Sequence, residues 1–315
     1  MDPLVTICVT TYNRKNLLLH TVTSLLNQSY SNLEVIIIDD CSTDQTDKFI
    51  QNEQLFRDKR IRYIRFKENK GLAKGRNRAI KEARGKYFTF CDDDDEFLPD
   101  LIESFVKAAE SSDEKWCFVC GHRLNDLEGN ELDFTYVDEE MLLKDAIKMG
   151  YTPPVASQFY HTSLLKRLGG YDEKIKSGVD HDLWLKLSYN KCKIRFLSDV
   201  LSKPNSNNQI VRMTNLFEHR VLNIKESLKI WERNIVENYG KKFFITFSKE
   251  YKFYIFKSFM SNYYKSKRIH LCFKLIFLER NFFFLTRIIR EGLLKPRNLK
   301  HKEYKVIIKP LFNMR

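Results

Sequence analysis

Four short apolar runs recur in the first hundred residues, and each stops abruptly at polar groups. Leu4-Val5-Thr6-Ile7-Cys8-Val9 meets Thr10-Thr11-Tyr12-Asn13-Arg14, and Leu33 to Ile38 meets Asp39-Asp40-Cys41-Ser42. Ile61 to Phe66 meets Glu68-Asn69-Lys70-Gly71, and Tyr87-Phe88-Thr89-Phe90-Cys91 opens onto Asp92-Asp93-Asp94-Asp95-Glu96. Runs of this length, rich in β-branched and aromatic residues, read as buried strands. Helical patterns lie between them. Leu17, Leu18, Thr21, Val22, Leu25 and Leu26 share one face after the first run, with Asn13 the expected N-cap. Ser42-Thr43-Asp44-Gln45 fits a capping box, residues 72–84 form a helix closed by Gly85, and Pro99 begins another. Strand and helix in alternation specify an α/β fold of three layers with a mostly parallel central sheet. Right-handed crossovers carry the C-terminal end of every such strand to one edge. Thr10 to Arg14, Asp39-Asp40 and Asp92 to Asp95 then become neighbours at the edge where open α/β sheets bind ligands. Neither a Walker A pattern nor G-x-G-x-x-G occurs, which argues against P-loop and ordinary dinucleotide sites.

The acidic run carries the sharpest chemical constraint. Packed carboxylates repel and raise one another's pKa unless a cation or hydrogen bonds compensate them. Hard oxygen ligands suit Mg²⁺ or Mn²⁺, especially where phosphate completes the shell. A solvated acidic turn is the plainer alternative; the position at a strand end favours the metal.

Further along, Trp116 to Cys120 reads as a strand, 150–154 as a loop ahead of an element over 156–168, and Gly169-Gly170-Tyr171-Asp172 as a sharp turn. Val179-Asp180-His181-Asp182-Leu183-Trp184-Leu185-Lys186-Leu187 is helical, with Leu183, Trp184 and Leu187 on a buried face and two aspartates at the start. Aspartates there serve as caps in many helices. A carboxylate there can also act as a base, as Asp180 would, and His181 offers an alternative group that titrates near neutrality.

Taken in order, Thr10 to Arg14, Ile38-Asp39-Asp40-Cys41-Ser42-Thr43-Asp44, Asn69-Lys70-Gly71 with Arg76-Asn77, and Cys91 to Asp95 resemble the successive motifs of family 2 glycosyltransferases over residues 3 to 200. The resemblance implies a Rossmann-like GT-A fold that binds a nucleoside-diphosphate sugar, a UDP-sugar above all, together with Mn²⁺ or Mg²⁺. It implies that Thr10, Thr11, Tyr12 and Asp40 seat the nucleotide and that Arg14, Asn69 and Arg76 lie near its ribose or diphosphate. Asp92-x-Asp94 matches the D-x-D motif, with Asp94 and Asp92 toward the metal and Asp93 toward ribose or metal. Residues 179–184 look like the family's E-D-x-D-L-W motif, departing from it at Val179, where an acid is usual. Asp180 then takes the catalytic base's position, with His181, Asp182 and Trp184 toward the acceptor. One base without a separate nucleophile means a single displacement and inversion.

Charge divides the chain. Residues 201 to 315 hold 25 Lys and Arg against 8 Asp and Glu, a balance of +17, while residues 1 to 200 hold 29 against 33, or −4. A GT-A domain over 1–204 is therefore expected, with a nucleotide-sugar half (1–100) and an acceptor half (101–204). A basic, aromatic, helical region follows over 205–315. Phe243, Phe244, Phe247, Tyr251, Tyr254 and Phe259 recur there among lysines. They form either the core of a helical bundle or an interfacial face for an anionic membrane. No stretch approaches the ~18 apolar residues of a membrane span, and no leader is recognisable. The expectation is a cytoplasmic enzyme, peripheral on the inner membrane face, that extends a glycan or lipid-linked oligosaccharide of a bacterial capsule, O-antigen or related polysaccharide. No nucleic-acid motif accompanies the basic region. Seven scattered cysteines read as free thiols, and Cys117-x-x-Cys120 lacks the second pair a metal site needs. The competing functions are a nucleotidyltransferase, which lacks its glycine-rich phosphate loop here, and a non-catalytic glycosyltransferase-like binding module. Sugar identity, linkage and oligomeric state have no signature in the chain.

Overall fold

The structure, a computed structural model, describes residues 2–125, 130–137, 139–148, 152–175, 178–205, 217–252 and 304–305, with 217–225 and 304–305 by backbone course alone. Its first hundred residues run β1 (Val5–Thr11), α1 (Lys15–Leu26), β2 (Leu33–Asp39), α2 (Thr46–Asn52), β3 (Ile61–Arg65), α3 (Leu72–Glu82) and β4 (Tyr87–Asp92). β1 lies between β2 and β4 and is parallel to both, with β3 parallel on the outside of β2. In register, Thr10 stands beside Ile38 and Asp92, and Thr11 beside Asp39. The expected edge is therefore real: the ends of β1, β2 and β4 meet side by side.

Strand alternation sorts the side chains into two layers. Val5, Ile7, Val9, Val35, Ile37 and Cys91 pack with Leu18, Val22 and Leu25 of α1 and with Phe105 of α4 (Leu101–Ala109). Cys8, Ile36, Ile38, Phe88 and Phe90 face the other way, onto Ala79 and Ile80 of α3. Each fully buried Val, Ile or Phe contributes roughly 1.5–3 kcal/mol, so the two layers fix the sheet and the polar loops ride on its edge.

The second half widens the sheet with β5 (Glu96–Phe97), β6 (Trp116–Asn125), β7 (Glu131–Thr135), β8 (Glu139–Leu142), β9 (Gln158–His161) and β10 (Lys193–Lys203). β9 is antiparallel to β4 and β6, while β10 runs parallel to β6 and antiparallel to β5 and β8. A two-residue β11 (Tyr304–Lys305) lies parallel to β7. Three helices complete this part: α5 (Leu143–Lys148), α6 (Thr162–Arg167) and α7 (Val179–Tyr189).

Three local expectations need correction. Residues 156–168 are not one element: Gln158 to His161 are all buried as a central strand, and α6 starts only at Thr162. Phe159 explains the strand, since its ring stacks on Phe105 with centroids 4.9 Å apart. Asn13 does not cap α1. It sits at φ 57°, donates its amide to Ser42 Oγ at 2.9 Å and accepts the Thr43 amide at 2.6 Å, which staples the β1–α1 loop to the β2–α2 loop. Because Ser42 is used there, no capping box forms, and Asp44 instead accepts the Thr46 amide at 3.2 Å.

Beyond Asn205 the chain forms α8 (Phe217–Tyr239) and a helical run over 241–252. Leu228, Trp231, Ile235, Phe243, Phe247 and Tyr251 are buried in the same cluster as Leu183, Trp184 and Leu187 of α7. Part of the basic region is thus core to the preceding fold. Tyr254, Phe259 and the later aromatics lie outside the described residues. Among the described residues no helix is long and apolar enough to cross a membrane. Cys8, Cys91, Cys117, Cys120 and Cys192 are buried free thiols. Cys117 and Cys120 face opposite layers of the sheet, so they share no ligand.

Candidate active site

The polar edge is built from three loops and one helix start. From the first loop, Tyr12 stands 45% exposed, an unusual position for an aromatic ring without a partner surface. Thr10, at the end of β1, is half-buried, and Thr11 is buried. Gly75 of α3 lets the helix close over this end, because a Cβ there would stand 3.2 Å from Thr10 Cγ2.

The second loop is braced by its own aspartates. Asp39 is fully buried, accepting the Tyr63 hydroxyl at 2.6 Å and the Ser42 amide at 2.8 Å. It closes the end of β2. Asp40 accepts the Lys70 and Gly71 amides at 2.6 and 2.8 Å, just ahead of α3, and Asn69 donates to the Asp40 carbonyl at 3.3 Å. Asp40 and Asn69 are therefore joined across the edge, and each carboxylate oxygen keeps a second lone pair.

The acidic run turns tightly after β4, the Asp95 amide reaching back to the Asp92 carbonyl at 3.0 Å. Asp93 points inward at 3% exposure, and burial pushes its carboxyl up to about 7, with the Arg14 guanidinium pulling the other way. Arg14 Nη1 stands 3.1 Å from Asp93 and 3.5 Å from Asp94. Asp95 is structural: its carboxylate accepts the Asn205 amide at 2.9 Å, pinning the chain where the C-terminal region begins. Among the described residues no three His, Cys, Asp or Glu side chains converge as metal ligands. Asp92 and Asp94 nonetheless fit a divalent cation of the Mg²⁺ class, which takes one or two protein carboxylates and fills its shell with phosphate and water.

Arg76 joins this turn to the second half. It is 1% exposed, yet Nη2 donates to Asp92 at 2.9 Å and Nη1 to Asp180 at 2.6 Å. The rings of Phe90 and Tyr171 flank the guanidinium at 5.3 and 5.4 Å, and the Tyr171 hydroxyl lies 3.5 Å from Nη1. Such a planar fork suits two carboxylates at once. The sequence placed Arg76 beside the diphosphate; its resting partners are the two aspartates.

Asp180 lies in the first turn of α7, with its side chain 35% exposed. The other residues of that turn face elsewhere. His181 is 8% exposed, its ring edge-on to Tyr251 at 4.6 Å and its Nδ1 3.4 Å from Thr152 Oγ1. The expectation that Asp182 and Trp184 meet an acceptor is corrected by burial. Asp182 is 5% exposed and accepts the Asp172 amide and the Trp231 indole, both at 3.1 Å; burial holds its carboxyl above the usual range against Lys186. Trp184 is 1% exposed and donates to Gln158 and to the Tyr160 hydroxyl. Tyr171 and Trp231 had no role in the sequence reading, since a Gly-Gly-Tyr turn and one Trp in a helix of mixed charge carry no local signature.

Comparisons with known proteins bear on the family and the fold. The family model described as glycosyl transferase family 2 matches residues 6–163. An uncharacterized glycosyltransferase of Rickettsia prowazekii is 31% identical over 209 residues, 64% of this chain and 64% of that protein. The putative teichuronic acid biosynthesis glycosyltransferase TuaG of Bacillus subtilis is 37% identical over 149 residues, 46% of this chain and 58% of that protein. The chain spans about three-fifths of the length of these curated relatives. A crystal structure of S. aureus TarS 1-349 in complex with UDP-GlcNAc superposes with a TM-score of 0.59 at 21% identity, over 82% of this chain and 72% of that one. At that identity the likeness shows the fold, a GT-A-like α/β domain.

Proposed function

This chain belongs to glycosyl transferase family 2, and from that premise we propose that it moves a sugar from a UDP-sugar to a hydroxyl of a growing glycan, with inversion. The observation that carries the reading is the bridge Asp92–Arg76–Asp180, which joins the acidic turn to a half-exposed carboxylate at a helix start. A UDP donor is favoured by the UDP-GlcNAc complex of TarS, and a bacterial surface polysaccharide by the name of TuaG.

In this reading Tyr12 lies against the nucleobase, Asp40 accepts a hydrogen bond from it, and Thr10 lines the same floor. Arg14 sits beside the diphosphate. A divalent cation held by Asp94 and Asp92 would neutralise charge on the departing nucleoside diphosphate. Asp180 takes the proton of the acceptor hydroxyl as that oxygen attacks the anomeric carbon. Arg76 orients Asp180 beside the acidic turn, its Nη1 donating to the carboxylate at 2.6 Å. His181 is set among aromatics and is the poorer base. The relation to the two regions is also a proposal: residues 1–204 form the donor and acceptor halves, and the basic remainder brings the enzyme to an anionic membrane surface on the cytoplasmic side. Lys241, Lys242, Lys249 and Lys252 with exposed Ile245 share about 100° of the 241–252 helix, opposite its buried aromatics.

Release of UDP from a panel of UDP-sugars tests the activity, with and without Mn²⁺ and with glycan acceptors. Asp180→Asn should abolish acceptor-dependent release and keep UDP affinity. Full turnover by that variant removes Asp180 as the base, and a wild-type protein that neither binds UDP nor releases it leaves the binding-module reading ahead.

A further inference from the structure

Three consecutive residues of the first α7 turn point in different directions, at about 100° per residue. Asp180 faces Arg76, and Asp182, about 200° away, faces the C-terminal helices. The contacts behind the turn are dense. Trp231 of α8 is 1% exposed and its indole donates to Asp182 Oδ1 at 3.1 Å. Tyr251, also 1% exposed, packs edge-on against both His181 and Trp231, at 4.6 and 5.3 Å between centroids. Gly178, the residue before the helix, sits at φ 77°; a Cβ there would stand 2.5 Å from the Tyr251 hydroxyl oxygen and 2.7 Å from Trp231 Cη2. The turn is therefore held from the front by Arg76 and from behind by two aromatic residues that lie past residue 163, where the family match ends.

We propose that Trp231 is a positioning residue for Asp180, acting through its hydrogen bond to Asp182 to fix the first turn of α7 in register with Arg76. A buried carboxylate needs its donors, and Asp182 has the Asp172 amide on one oxygen and the indole on the other. Losing the indole N–H leaves Oδ1 without that donor and lets the turn rotate or fray. Asp180 sits two residues earlier on the same turn, so a small rotation there moves it off the Arg76 fork. The donor edge, built from other loops, is untouched. The C-terminal helices are then part of the catalytic unit and not an appended module.

Trp231→Phe keeps a ring in the core and deletes the donor. The kinetic arm of its test rests on the transferase function proposed above, and the exchange arm does not. By hydrogen exchange, amides of residues 178–184 should open about tenfold faster in Trp231→Phe, the scale of one lost charge-assisted hydrogen bond. kcat for acceptor-dependent UDP release should fall about tenfold with the Kd for UDP unchanged. Phe243→Leu, a core change whose ring meets Tyr239, which in turn meets Tyr189 at the far end of α7, should alter neither. Wild-type exchange in folded Trp231→Phe overturns the clamp, and faster exchange with unchanged kcat overturns its role in positioning. Equal effects from Phe243→Leu reduce it to general core loosening. A wild-type protein without activity sinks the transferase function alone, and the exchange arm still decides the clamp. If Trp231→Phe does not fold, the wild-type Trp231 indole proton decides: slow exchange with solvent supports the bond, and exchange within seconds refutes it.

Discussion

Replacing Arg76 with methionine separates stability from catalysis. The guanidinium makes two charge-assisted hydrogen bonds, at 2.6 and 2.9 Å, and sits between two rings. Hydrogen bonds to charged groups are worth roughly 1.5–3 kcal/mol each, and cation–π contacts about 0.5–2 kcal/mol. Against this stands the cost of burying the cation, which methionine of similar length avoids, although removal of one partner is harmful where the other stays buried. The carboxylates left behind are 35% and 41% exposed, so water can take over much of what Arg76 supplied. The net loss of stability should be only about 1–2 kcal/mol, a few degrees in Tm. Activity should respond far more strongly. A base displaced by about 1 Å costs on the order of a hundredfold, so acceptor-dependent UDP release should drop at least that much. Arg76→Lys keeps the charge, but a single ammonium cannot reproduce a fork whose two nitrogens serve different carboxylates; it should recover stability and little of the rate. The assay pairs thermal unfolding with initial rates at saturating donor. Arg76→Met that folds and keeps its rate within threefold refutes the bridge as an orienting device.

Three further outcomes follow from the geometry. Asp94→Asn should lose the Mn²⁺-dependent part of UDP affinity in a titration, and identical affinity with and without metal in wild type and variant would remove Asp94 as a metal ligand. His122, stacked on Phe134 and 5% exposed, has its pKa lowered by burial from 6.5 to about 4. The unfolded chain binds that proton first, so stability should fall as pH drops from 6.5 to 4, by up to about 3 kcal/mol. His122→Leu should flatten that part of the urea-stability profile, and an unchanged slope counts against the assignment. Gly178→Ala combines a left-handed backbone with a Cβ pressed on Tyr251 and Trp231; it should cost about 2–4 kcal/mol in urea unfolding, and a loss under 0.5 kcal/mol would show that the turn yields easily.

The strands of the first hundred residues and their shared polar edge were legible because they depend on local patterns. The continuous apolar runs Val5 to Val9 and Val35 to Ile38, buried on both faces, and the abrupt polar stops are written along the chain. Asp39-Asp40 and Asp92 to Asp95 at strand ends follow from the same logic. What local pattern cannot carry is which way a helix turn faces. Asp180, His181 and Asp182 are adjacent in sequence, yet one faces Arg76, one an aromatic cluster and one a tryptophan 49 residues away. Gln158 to His161 failed for a similar reason: a short run of buried aromatic and polar residues is a strand only because β4 and β6 stand on either side of it.

The basic C-terminal region shows how composition can mislead about boundaries. Its change in charge is real, and Asp95 holds the Asn205 amide where that change begins. Yet charge reports the solvent face of a helix, while attachment is decided by the opposite face. On the 241–252 helix the lysines that drew the boundary lie on the outside, and Phe243, Phe247 and Tyr251 lie in the core shared with α7. A helix can therefore be foreign to a domain by composition and essential to it by packing. If the base of a glycosyl transferase is steadied by residues beyond the span that defines its family, then that outer part is free to vary in sequence only while one face keeps its grip on the turn that carries Asp180.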